Sequence, residues 1–158
     1  MLAGRVPLVI RPALFGGALT AILKQGGGVR PISVGYTWRR LAGKAASRRV
    51  ADRAAALLAP RQVGFAVPGG AEAAVHATRR YLSNLLSGHV FVKVDFTNAF
   101  NTIRRDAVLE AVSRHLPELL PYALSAYSAG SQLSKYSVPS EEGFQQGDGV
   151  SSILLRHP

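Results

Sequence analysis

The order of apolar and polar positions divides the chain into strand-like and helix-like stretches. Residues 14–23 form a mostly apolar run that predicts a strand. Lys24-Gln25-Gly26-Gly27-Gly28 follows as a turn, because three glycines supply the positive φ that a hairpin needs. Residues 29–34 read as the returning strand. Residues 38–58 are rich in Ala and Arg and free of Pro, which predicts a long helix stopped by Pro60. Residues 61–70 read as a loop or short strand. Residues 71–86 form a helix with Val75, Leu82, Leu85 and Leu86 on its apolar side, closed by Gly88. Phe91, Val92 and Val94 are β-formers and predict a buried strand ending at Asp95. Residues 106–116 predict a short helix burying Val108, Leu109, Val112 and Leu116. A second helix runs to Tyr127, and residues 130–138 suit a further strand.

Charge changes the picture. The formal net charge is +10. Residues 1–51 hold nine Lys or Arg and no acid, while residues 52–158 hold ten Lys or Arg and nine acids. The basic block points to a polyanion: nucleic acid, nucleotide phosphates or an anionic membrane. Its predominance of Arg favours phosphate, which guanidinium grips through two parallel hydrogen bonds. The alternative is a generic solvated basic surface. Arg39, Arg40, Lys44, Arg48 and Arg49 fall within the long predicted helix, where they can form a basic ridge for a nucleic-acid backbone. Ordinary helix solvation is the competing reading.

Composition removes other classes. The chain has 158 residues, enough to bury a core, and no Cys, so disulfides and thiolate metal sites are excluded. His76, His89, His115 and His157 show no ligand spacing. The apolar stretch at residues 6–23 is interrupted by Arg11-Pro12, which argues against a membrane span or a signal peptide.

Four blocks carry candidate chemistry. Asp95 closes the apolar strand, and Phe100 stands five residues on in Asp95-Phe96-Thr97-Asn98-Ala99-Phe100. Downstream lies Gln145-Gln146-Gly147-Asp148-Gly149-Val150-Ser151-Ser152-Ile153-Leu154-Leu155. Upstream lie Arg30-Pro31-Ile32-Ser33 and Gln62-Val63-Gly64-Phe65, the latter followed by Gly69-Gly70-Ala71-Glu72. In this order the blocks resemble the reverse transcriptases of non-long-terminal-repeat, LINE-like retrotransposons, over about residues 14–155. The first pair resembles motif A and the Gln-Gly turn resembles motif B.

The resemblance implies an α+β fold, a partial right-hand polymerase with an antiparallel palm sheet packed on helices. Residues 1–70 would be fingers-like and residues 71–158 a partial palm, together one folding unit. It implies that Asp95 is the catalytic metal ligand, with the backbone carbonyl of Phe96 as a further ligand for Mg²⁺. Phe100 would lie under the incoming sugar. Lys24 and Arg30 would meet the triphosphate, and Gln146 and Gly147 would line the pocket for nucleotide and template base. Asp95 and Gln146-Gly147 should then share one cleft with Arg30. The implied partners are an RNA or DNA template-primer and a deoxynucleoside triphosphate, met in cytoplasm or nucleus, without a membrane.

The sequence departs from the family in two ways. Gly149 and Phe144 replace prolines usual around motif B. No adjacent Asp pair occurs, so the second half of the family's two-metal site is missing from these residues and the expectation is an inactive polypeptide. The alternative is a non-catalytic basic nucleic-acid-binding remnant. A phospho-acceptor domain also places Asp at a strand end, but it needs acids near its first strand, and residues 1–51 have none.

Overall fold

The computed structural model describes residues 1–134, 138–145, 148, 150 and 153. The architecture is α+β. After a short helix α1 (Arg11–Leu14), β1 (Gly17–Leu23) and β2 (Val29–Gly35) form an antiparallel hairpin in the register Gly17 to Gly35 and Leu23 to Val29. Gly26, Gly27 and Gly28 all take positive φ at its tip, and Lys24 N–H donates to Gly28 C=O at 3.0 Å. A chain of L-residues at these angles would be strained, so the triple glycine is what closes this turn.

Helix α2 (Thr37–Leu58) crosses next. Its buried positions are Arg39, Gly43, Ala46, Val50, Ala54 and Leu58. These steps of three and four keep one face inward. Helix α3 (Gly70–Ser83) follows a loop, then α4 (Ala99–Thr102), α5 (Arg105–His115) and α6 (Leu120–Tyr127). The chain returns through β3 (Ser131–Ser134) and β4 (Val138–Ser140). The sheet order is β2-β1-β3-β4, antiparallel within each hairpin and parallel where β1 meets β3.

The core lies between α2, α5 and α6. Ala46, Val50 and Ala54 of α2 join Val108 and Val112 of α5, then Leu116, Leu119, Tyr122, Ala123, Ala126 and Tyr127. Val6, Phe15, Phe144, Val150 and Ile153 complete it. Small residues on α2 leave space that the larger ones on α5 and α6 fill.

Three expectations differ from the structure here. Residues 91–94 are not a buried strand: they pair with no strand among the described residues, Phe91 is 48% exposed and Val92 71% exposed. The antiparallel palm sheet around Asp95 is therefore not formed among the described residues. The helix expected to run to residue 86 ends at Ser83, and Val75, Leu82 and Leu86 of its expected apolar side are exposed. β-propensity reports how well a side chain suits a pleated, half-buried surface, and no neighbour supplies that surface here. The strand expected at residues 130–138 is two short strands instead. Among the described residues, no helix is long and apolar enough to cross a membrane.

Candidate anion and metal cleft

The hairpin and the turn after Asp95 meet at a cleft of about 500 Å³. Lys24, Arg30 and Pro31 line one side, and residues 94–101 line the other. Each wall follows from its local sequence. The glycine turn carries Lys24 to the end of β1 and Arg30 to the start of β2. Beyond Asp95, Asn98 adopts a left-handed φ of +53° and redirects the chain into α4. Asn tolerates this conformation better than most residues. Asn101 N–H donates to Asn98 C=O at 2.8 Å, and Thr102 Oγ1 donates to the same carbonyl at 3.2 Å.

Five expected site residues, Lys24, Arg30, Asp95, Phe96 and Phe100, line this one cleft. Gln146 and Gly147 lie outside the described residues. Asp95 is exposed and has no hydrogen bond or ion pair with any described residue. Among the described residues it is the only carboxylate lining the cleft, against the two cations Lys24 and Arg30. The unpaired excess of positive charge suits an anion. The amides of Asn98 and Asn101 add neutral donors and acceptors that the sequence reading did not single out. The Thr97-Asn98 pair, a turn signal two residues after Asp95, was the available sign.

The donor set is oxygen-only and thin. Asp95 carboxylate, Phe96 carbonyl and the asparagine amides match the hard-cation preference of Mg²⁺, which commonly binds one or two carboxylates and takes its remaining ligands from water and phosphate. Among the described residues, no group of three or more His, Cys, Asp or Glu side chains can hold a metal ion. The residues thus fit an ion completed by a phosphate ligand rather than one caged by protein.

No protein-family model matches this chain, and no curated protein sequence matches it.

The cleft is braced from behind. Phe144 N–H donates to Phe100 C=O at 2.6 Å, tying the turn after Asp95 to the chain beyond β4. Arg105, at the start of α5, donates from Nε to Gly143 C=O at 2.7 Å and from Nη1 to Ser140 C=O at 3.0 Å. Its Nη2 donates to Ser140 Oγ at 3.0 Å and to Glu142 C=O at 3.1 Å. Burial lowers the Arg105 pKa, partly offset by Tyr127. Gly143 sits where a Cβ would come within 2.5 Å of the Asn101 backbone, so only glycine allows this approach. A second hollow of about 430 Å³, lined in part by Ser33, Phe144 and Gln145, adjoins the cleft through Pro31 and Asn101.

Arg39 corrects the expected basic ridge. It is 1% exposed and points into the core, away from any nucleic acid. Its Nη2 donates to Asp148 Oδ2 at 2.9 Å and to Tyr127 Oη at 3.0 Å, and Nη1 donates to Phe15 C=O. Tyr127 Oη also donates to Asp148 Oδ2, and Tyr122 Oη lies 3.4 Å from Asp148 Oδ1. Burial pulls the Arg39 pKa down, yet Tyr127 and Asp148 outweigh it and leave the guanidinium more firmly protonated than usual. Burial drives both tyrosines up, so they stay neutral donors. The guanidinium lies 5.3 Å from the Tyr127 ring centroid and 5.7 Å from that of Phe15. Arg40, Lys44, Arg48 and Arg49 remain exposed on the other side of α2.

Proposed function

We propose that this chain carries part of an RNA-directed DNA polymerase of the LINE-like reverse transcriptase kind, and that the cleft is its triphosphate and metal site. One observation carries the reading. Lys24 and Arg30 lie some seventy residues before Asp95 and Phe100, yet both pairs line the same hollow. That is the combination nucleotidyl transfer uses: cations for the phosphates, a carboxylate for the ion between them, and a flat side chain beside the sugar. The adjoining hollow offers space for a base. Bound Mg²⁺ would neutralise phosphate charge, with Asp95 and the Phe96 carbonyl as its protein ligands. Arg30 and Lys24 would orient the phosphates, and Phe100 would limit what lies beside them. The partial right-hand fold and the template-primer partner belong to the same proposal.

The described residues offer one carboxylate at the cleft, and the sequence contains no Asp-Asp pair. Binding without synthesis is therefore expected. A deoxynucleoside triphosphate with Mg²⁺ should bind, and Arg30→Ala or Asp95→Asn should each weaken it about ten-fold, the loss typical of one charged hydrogen-bonding group. Labelled deoxynucleotide should not be incorporated on a primed RNA template with Mg²⁺ or Mn²⁺. Triphosphate binding that ignores both substitutions would overturn the site. Incorporation abolished by Asp95→Asn would overturn the expectation of inactivity.

A second reading, a non-catalytic nucleic-acid-binding module, is favoured by the exposed row Arg40, Lys44 and Arg48 at steps of four on α2. Under it, single-stranded or duplex nucleic acid should bind with affinity that falls as salt rises. Replacing Arg40, Lys44, Arg48 and Arg49 together should remove most of that salt dependence while leaving triphosphate binding intact.

A further inference from the structure

Residues 90–97 are an unusual surface. Val90, Phe91, Val92, Val94 and Phe96 are all exposed. None of these eight residues has a backbone hydrogen bond to any described residue. The stretch contains neither Pro nor Gly, and its β-branched and aromatic residues are those favoured in strands. It is bounded on both sides by turns, at Gly88 with φ +84° and at Asn98 with φ +53°. A segment of this kind has a full set of unused donors and acceptors and templates the addition of another strand.

The charges specify which strand. In an extended conformation Val90, Val92, Val94 and Phe96 share one face, and Phe91, Lys93 and Asp95 share the other. Two copies paired antiparallel about Val94 place Lys93 opposite the second copy's Asp95, and Asp95 opposite its Lys93. Val92 then faces Phe96, and Val94 faces Val94, so the apolar face stays continuous. Shifting the register by one residue opposes apolar and polar faces. Centring on Lys93 or on Asp95 sets like charges against each other, and a parallel in-register pairing stacks Lys on Lys and Asp on Asp. Only the Val94-centred antiparallel register satisfies both the charges and the apolar face.

We propose that this chain self-associates as a two-fold dimer through residues 90–97, paired antiparallel about Val94. Neither Lys93 nor Asp95 has an ion-pair partner among the described residues, so both are available. The inference rests on the backbone and on the order of charges, not on the polymerase reading, and the two assign the Asp95 carboxylate differently, to Lys93 of a second copy here and to a metal ion there.

Sedimentation velocity over a concentration series tests it with four proteins: wild type, Lys93→Asp, Asp95→Lys and the double exchange. Each single substitution sets like charges opposite each other at two symmetry-related places and should weaken dimerisation about ten-fold or more. The double exchange should restore it. Far-UV circular dichroism checks that all four share one fold, which is expected because both residues are exposed. A wild type that stays monomeric throughout overturns the proposal and leaves the face to a different occupant. Equal association of all four proteins overturns it too, because apolar stickiness alone would explain that result. Failure of the double exchange to recover what the single substitutions lose overturns the register.

Discussion

Residues 105–127 and residues 70–96 are similar in length and apolar character, yet they use their apolar side chains in opposite ways. The first stretch, α5 and α6, buries Val108, Val112, Leu116, Leu119, Tyr122, Ala123, Ala126 and Tyr127. The second buries only Gly70, although it contains Val75, Tyr81, Leu82, Leu86, Phe91, Val92 and Val94. Both have suitable periodicity. The difference is the partner. Facing α5 and α6 is α2, whose Ala46, Val50 and Ala54 leave room for larger neighbours. Val75, Tyr81 and Leu82 of α3, and Leu86, Phe91, Val92 and Val94 of the segment after it, stay exposed among the described residues. Amphipathic patterning specifies which side of an element seeks cover, and a neighbouring surface decides whether it is covered. The candidate cleft lies at the seam, with the hairpin on one wall and the end of the uncovered segment on the other.

The strongest way to break the packed side is through Arg39. Arg39→Ala leaves Asp148 buried beside two tyrosines without its cation. It should lower stability by about 3–5 kcal/mol in urea denaturation, the usual cost of removing one partner of a buried ion pair. Arg39→Lys should recover only part of the loss, because an ammonium cannot reproduce the fork to Asp148, Tyr127 and Phe15. Lys44→Ala, on the exposed side of the same helix, should stay within about 0.5 kcal/mol of wild type. Equal effects at positions 39 and 44 would contradict the inward placement of Arg39.

A matched pair of leucines sharpens the contrast between the two stretches. Leu116 is 1% exposed and Leu86 is 69% exposed. Leu116→Ala should cost about 2–5 kcal/mol, from lost burial and the cavity left behind. Leu86→Ala should change the stability of the monomer by no more than about 0.5 kcal/mol. A large loss at Leu86 in dilute solution would mean that the second stretch is covered in the monomer.

The same contrast separates what was legible in the sequence from what was not. The hairpin was legible because three consecutive glycines leave few alternatives to a tight turn. Helix α5 was legible because Val108, Val112 and Leu116 recur every four residues. The two walls of the cleft were legible as motifs, through Arg30-Pro31 and through Asp95 with Phe100. Burial of residues 91–94 was not, since it requires a neighbour that no local pattern reveals. Arg39 was misread because it stands in a basic string beside Arg40, and neighbouring residues are turned about 100° apart around a helix. Counting back from Val50, Ala46 and Gly43 in steps of three and four reaches Arg39 and puts it on the apolar face. Gly35 was a second sign: a Cβ there would lie 2.9 Å from Arg39 Cδ, so the glycine leaves the arginine its path inward.

The smallest expected effect is a pH effect at the entrance to the packed stretch. Asp106 lies in the first turn of α5, where its Oδ1 accepts hydrogen bonds from Arg104 Nε at 3.1 Å and from the Ala107 N–H at 2.8 Å. Arg104 Nη2 donates to the other carboxylate oxygen. The Arg104 contact first, then the backbone donor, hold the Asp106 pKa down at about 2, against an ordinary 3.8. A depressed folded-state pKa means that the contribution is complete above about pH 4 and is lost as pH falls through about 2. Both side chains are exposed, so solvent screens the pair and the contribution is small. Asp106→Asn should therefore lie slightly below wild type in stability at pH 6. The two denaturation midpoints should converge as the solution is acidified and coincide below about pH 2. A difference that persists at that pH would assign the effect to the shape of the side chain rather than its charge. No pH-dependent change is expected from Asp106→Asn in protease sensitivity at residues 70–96, because Asp106 anchors only the packed stretch. Coupled changes in both would show that the two stretches fold as one unit.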